Sequence, residues 1–211
     1  MGGREIVCLH GVGGHGRDWE SVTTGLRSFG VVRTPDVARG RHRRSLTTSD
    51  MRPGTVLVGH SHGALLALGL ASGSASVRGL IMTGGFYPPA RNDQSYATAL
   101  GDYARHRVAV AKSLASQHAR PRRGGVGALA SMAVLGLHPA RFHDLAAGVR
   151  IPVLVVHGTE DHYVPIDFMH AATRRYPAWD VAVLAGAGHN IHVDQPGDWL
   201  DLTTPWLRDL G

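Results

Sequence analysis

Apolar residues fall along this chain in short runs, each leading into a turn-forming or glycine-rich stretch and then, in most cases, into helical spacing. Ile6-Val7-Cys8-Leu9 is the first such run and opens into Gly11-Val12-Gly13-Gly14-His15-Gly16. A helical pattern follows from Asp18 to Phe29, with Asp18 as the expected N-cap and Gly30 as the stop. Val31-Val32, the turn-prone Pro35-Asp36 and a polar, arginine-rich loop come next. Thr55-Val56-Leu57-Val58 has the β-branched character of a buried strand. It enters Gly59-His60-Ser61-His62-Gly63, ahead of the helix-forming stretch from Ala64 to Ala71. Leu80-Ile81-Met82 makes a further strand that closes on Gly84-Gly85. Strand signals return at Val153-Leu154-Val155-Val156 and at Val181-Ala182-Val183-Leu184. Helical segments are expected between them, from Ile166 to Tyr176, and after them, from Trp199 to Leu210.

Strands alternating with helices predict an α/β domain: a mostly parallel sheet of roughly six strands with helices on both faces. Residues 90–148 are alanine- and arginine-rich and carry helical character without a strand. They read as an insertion, which divides the chain into a core at 1–85 and 150–211 and a small helical cap at 86–149. In such sheets ligands bind outside the carboxyl ends of the strands. Every polar motif considered below sits at one of those ends.

Composition narrows the picture without redirecting it. The chain has 211 residues, 43% hydrophobic and 18% charged, which is the balance of one globular domain. Cys8 is the only cysteine, so disulfides and thiolate metal clusters are excluded, and its place in an apolar run predicts burial. The formal charge of +6 is carried by arginine, Lys112 being the only lysine. The arginines are scattered or clustered at Arg39 to Arg44 and Arg105 to Arg123, and no aromatic residue interleaves the first cluster. A nucleic-acid partner is therefore not expected. No apolar run approaches the roughly 20 residues of a spanning helix, so no membrane partner is expected either. Met1 to Glu5 leads straight into the first strand, with no room for a secretory signal, and a cytoplasmic protein is expected.

The chemistry concentrates in three loops. Gly59-x-Ser61-x-Gly63 lies between a strand and a helix, the setting a nucleophilic serine on a sharp turn requires. Serine needs a base, and the base needs an acid to orient it. Asp161, in His157-Gly158-Thr159-Glu160-Asp161, and His189, in Ala185-Gly186-Ala187-Gly188-His189, each follow a strand. Three strand ends thus supply serine, acid and histidine in the order expected of a catalytic triad. Glu160 is the competing acid. His157, Asp161 and His162 resemble a metal set on paper, but strand-end geometry should splay them apart, and no metal or cofactor is expected. Gly11-x-Gly13-x-x-Gly16 with Asp36 twenty residues beyond Gly16 matches dinucleotide-binding spacing. That rival gives no reason for the other two loops. With a nucleophilic serine, the same glycines let the backbone approach a scissile carbonyl, and the amides of Val12 and His62 would form the oxyanion hole.

These pieces together resemble the α/β-hydrolase superfamily, in its small esterase and lactonase-like branch. The matching residues are Leu9-His10-Gly11-Val12-Gly13-Gly14, Pro35-Asp36 with Arg39-Gly40-Arg41, the turn at 59–63, His157-Gly158-Thr159-Glu160-Asp161 with Val164-Pro165, and Gly188-His189. The resemblance covers nearly the whole chain. It implies a Ser61–Asp161–His189 triad, an oxyanion hole at Val12 and His62, and acyl transfer to water through an acyl-enzyme. Serine at the turn sets aside the dehalogenase and epoxide hydrolase branches, which carry aspartate there. Two departures stand out: the usual N-terminal antiparallel hairpin is absent, and residues 37–54 leave room for at most one helical turn. The cap should supply the pocket for a small-molecule acyl substrate, with Phe86, Tyr87, Tyr96, Tyr103, Met132 and Leu135 as candidate wall residues. Three functions follow: hydrolysis of a carboxylic ester or lactone, a thioesterase acting on carrier- or coenzyme-bound acyl groups, or a small-molecule-binding scaffold with little turnover. Oligomeric state is left open by the sequence.

Overall fold

The computed structural model describes residues 4–11, 13–36, 46–85, 87 and 139–211. Six strands form one sheet: β1 (Glu5–Leu9), β2 (Val31–Arg33), β3 (Thr55–His60), β4 (Val77–Thr83), β5 (Val153–Gly158) and β6 (Asp180–Leu184). Their order across the sheet is β2-β1-β3-β4-β5-β6, and every pairing is parallel. The helices are α1 (Glu20–Arg27), α2 (His62–Ala71), α3 (Pro139–Ala147), α4 (Ile166–Thr173), the single turn α5 (Ile191–Asp194), and α6 (Pro196–Asp209). Among the described residues, none of the helices is long and apolar enough to cross a membrane.

Strands β1, β3 and β5 are buried from end to end. That explains why they appear in the sequence as unbroken apolar runs rather than alternating ones. Alternation still decides which layer each side chain joins. Val7, Leu9 and Leu57 pack with Ala67 and Leu68 of α2, Phe142 and Ala146 of α3, and Met169 of α4. Ile6, Cys8, Val56 and Val58 pack on the opposite face with Val22 and Leu26 of α1 and with Trp199 and Leu207 of α6. Cys8 is fully buried there, and burial pushes its thiol pKa up, so it behaves as a small hydrophobe. Helices α1 and α6 meet closely at Gly25, where a Cβ would lie 2.8 Å from the side chain of Leu200.

Two local expectations are corrected. Asp18 does not cap α1; the chain first forms a 3-10 turn at Gly16–Trp19, and α1 starts at Glu20. Asp18 instead accepts from the His15 amide at 2.9 Å, closing that tighter turn from its third position. A carboxylate three residues after a polar residue satisfies either geometry, and sequence spacing does not separate them. The separation expected between His157 and Asp161 does not occur either: His157 Nε2 and Asp161 Oδ2 lie 3.7 Å apart. His162 is exposed, and no metal-ligating group of three occurs among the described residues.

The connection from Asp36 to β3 contains, where described, only the 3-10 turn Thr48–Asp50. Of the segment 86–149, Tyr87 and residues 139–149 are described. Tyr87 is buried, with its ring edge-on to Phe142 at 6.2 Å and to His157 at 6.0 Å.

Candidate active site

Ser61 joins β3 to α2 as the N-cap of the helix, with φ 53° and ψ −120°, and it is the only non-glycine residue with positive φ among the described residues. Such a conformation costs on the order of 1–3 kcal/mol and persists only where the surroundings enforce it. They do so from three sides. The Ser61 amide donates to the Thr83 carbonyl of β4 at 3.0 Å. A Cβ at Gly59 would fall 2.4 Å from the Ala64 Cα, and one at Gly63 would fall 2.1 Å from the Leu9 carbonyl oxygen. Both flanking glycines are therefore required by close backbone approach. His62 is the first residue of α2, so its amide has no partner within the helix and lies at the positive end of the dipole. Val12, its expected partner in the oxyanion hole, lies outside the described residues, as do Phe86, Tyr96, Tyr103, Met132 and Leu135.

The two loops after β5 and β6 are fastened to one another. The Glu160 amide donates to the Ala187 carbonyl at 2.9 Å, and the Gly186 amide to Thr159 Oγ1 at 2.9 Å. This brings His189 Nδ1 to 2.8 Å from Asp161 Oδ2. The other carboxylate oxygen, Oδ1, accepts from the Tyr163 and Val164 amides, each at 2.9 Å. Burial by itself would raise the Asp161 pKa, but the His189 bond and the Val164 amide outweigh it, so the carboxyl is held below its ordinary value. Glu160, the competing acid, points to solvent. The His189 ring is flanked by the Tyr163 ring at 4.9 Å.

Three further histidines surround this pair: His60, His157 and His192. Among fourteen histidines their residue type carried no signal in the sequence, because only the packing decides which rings are buried. His157 donates from Nε2 to the Val164 carbonyl at 2.8 Å, bracing the turn that holds Asp161, and burial lowers its pKa so the ring is neutral. His60 Nε2 lies 3.1 Å from the His189 carbonyl oxygen. His192 stacks on Trp19 at 4.1 Å, is 1% exposed, and neither ring nitrogen has a hydrogen-bond partner among the described residues.

Burial first, then the nearby His189, lowers the His192 pKa to about 3. The unfolded chain therefore binds this proton at a higher pH than the folded one does. Stability is present above the ordinary imidazole range and is lost as pH falls below it. Between about pH 7 and pH 5 the loss should be on the order of 1–2 kcal/mol. His192→Phe, which keeps a ring against Trp19, should flatten this slope in urea denaturation midpoints measured across that range. An unchanged slope would show that His192 does not titrate as stated.

Asp36 braces the backbone, its Oδ1 accepting from the Gly16 amide at 2.7 Å and tying β2 to the loop after β1. The carboxylate that the dinucleotide reading would place on a ribose is engaged by the protein's own main chain.

A parallel sheet that carries a strained serine at one strand end and a carboxylate–histidine pair at two others defines the α/β-hydrolase class. The sequence model of the Alpha/beta hydrolase family matches residues 6–202, and the chain belongs to that family. Among solved structures, an esterase from Rhodococcus sp. ECU1013 aligns over 99% of this chain and 92% of its own, with TM-score 0.62 and 18% identity. A structure from a study of carboxylesterases of Nitrososphaera gargenis aligns over 99% and 91%, with TM-score 0.70 and 20% identity. The thioesterase domain of the curacin biosynthetic pathway aligns over 96% and 91%, with TM-score 0.64 and 20% identity. These likenesses concern the fold. A comparison with curated proteins returns no match.

Proposed function

We propose that this chain is a serine hydrolase that cleaves a carboxylic ester or lactone through an acyl-enzyme. The observation that carries the reading is the 2.8 Å bond between His189 Nδ1 and Asp161 Oδ2, made at strand ends in the same sheet as the strained Ser61. Carboxylate oxygens accept at neutral pH, so the bond fixes the proton on Nδ1 and leaves Nε2 with its lone pair. In the reaction Ser61 Oγ attacks the carbonyl carbon and its proton passes to His189 Nε2. The amides of His62 and Val12 take the negative charge that forms on the carbonyl oxygen. The imidazolium, stabilised by Asp161, then gives its proton to the departing alkoxide. Water repeats the sequence on the acyl-enzyme, releasing the acid and restoring Ser61.

Residues 86–149 form the cap in this reading and supply the wall of the acyl pocket. A thioesterase is the second reading, favoured by one sequence feature: Arg105, Arg107, Lys112, Arg120, Arg122 and Arg123 fall in a stretch with no acidic residue. A cationic surface would attract an acidic carrier protein or the phosphates of coenzyme A. Such attraction is screened over a Debye length of about 8 Å at physiological salt. We expect kcat/KM to be flat with salt for a neutral p-nitrophenyl ester and for acyl-coenzyme A alike. A steep decline for acyl-coenzyme A alone, removed in the double variant Arg122→Ala/Arg123→Ala, would reverse the ranking.

A further inference from the structure

We propose that His60 is a positioning residue, tying the serine turn to the loop that carries His189 through a hydrogen bond from its Nε2–H to the His189 carbonyl oxygen. This inference rests on the serine-hydrolase reading above. The bond measures 3.1 Å, and because a carbonyl only accepts, it places the ring proton on Nε2. The ring is also packed against other groups. Its centroid lies 4.8 Å from that of His189 and 4.6 Å from that of His192. On another side it abuts Gly11, where a Cβ would come within 2.9 Å of His60 Nδ1. One side chain therefore touches the loop after β1, the loop after β6 and the helical turn α5.

The need for such a tether follows from the local chain. His189 follows Gly186-Ala187-Gly188, whose backbone is fastened to the loop after β5 at Gly186 and Ala187, two residues short of His189. The Asp161 bond orients the His189 ring but acts on the side chain only. The His60 bond holds the backbone of the same residue, and His60 is covalently next to Ser61. The path from nucleophile to base thus runs through one rigid β3 residue and one hydrogen bond. Burial first, with His192 and His189 adding to it, keeps His60 neutral, so the bond persists while His189 gains and loses its proton.

The test compares His60→Phe, which keeps a ring without a donor, with His60→Gln, whose amide N–H has similar reach. A misplacement of about 1 Å can cost on the order of 100-fold in rate, so His60→Phe should lower kcat by roughly 10–100-fold with KM changed less than about twofold. His60→Gln should recover most of that loss. The low-field NMR resonance of the His189 Nδ1–H should broaden in His60→Phe and sharpen again in His60→Gln. If His60→Phe does not fold, His60→Leu replaces it. Wild-type kcat in the donor-less variant, or His60→Gln as impaired as His60→Phe at equal Tm, would overturn the proposal in favour of plain packing. If the wild type neither hydrolyses esters nor reacts with a fluorophosphonate, the hydrolase reading fails separately. The resonance then decides the tether by itself, and an unchanged signal in His60→Phe overturns it.

Discussion

Ser61→Ala is expected to reduce hydrolysis of a short p-nitrophenyl ester by roughly 10⁴–10⁶-fold while leaving the fold intact. In the proposed serine-hydrolase mechanism the nucleophile, base and acid act as a unit, so losing the attacking oxygen would remove the covalent route altogether. Stability should hardly change. Alanine and serine meet the same backbone penalty at φ 53°, and the hydrogen bonds that enforce the turn come from main-chain atoms. Initial rates of purified wild type and variant, with intact mass after fluorophosphonate treatment, provide the check. Wild type should gain one phosphonyl group and the variant none. Equal turnover by the two proteins would sink the assignment.

Asp161→Asn should lower kcat by about 10⁴-fold. The hydrogen-bond pattern gives the reason. Oδ1 already accepts from the Tyr163 and Val164 amides, so the asparagine oxygen will stay there and its NH₂ will face His189. His189 Nδ1 must then accept rather than donate, which moves the ring proton to Nε2 and removes the lone pair that takes the serine proton. Glu160→Gln, on an exposed side chain, should leave turnover near wild type. A reversed pair of results would make Glu160 the acid. The same substitution has a pH signature in stability. The Asp161 carboxyl is held below its ordinary pKa, so its contribution is present above the usual carboxylate range and lost as pH falls through the lowered value. Asp161→Asn should therefore be less stable than wild type near neutrality, and the gap should narrow toward acid.

Much of this was legible in the residues. The short apolar runs are strands buried on both faces, and a run such as Ile6 to Leu9 has no other comfortable place in a domain of this size. The glycines flanking Ser61 were legible because backbone approach excludes a Cβ at either side. The order of serine, acid and histidine at strand ends was legible because parallel topology sends all those ends to one edge of the sheet.

The start of α1 was not legible. Both a 3-10 turn and a capped α-helix put a carboxylate three residues into the element, and the choice depends on how Gly16 docks against Asp36 and Thr34. The contacts of His60, His157 and His192 were hidden for a different reason. Each depends on a partner far along the chain or on its burial class: His60 meets a carbonyl 129 residues away, and His192 stacks on Trp19 from the other end of the chain. By itself, then, the sequence determined the strand pattern, the strained serine turn and the set of polar residues at strand ends. Only the tertiary structure decided which carboxylate oxygen meets His189, and which histidines are buried and neutral. Those outcomes turn on hydrogen-bond distances of about 3 Å between loops that local spacing does not relate.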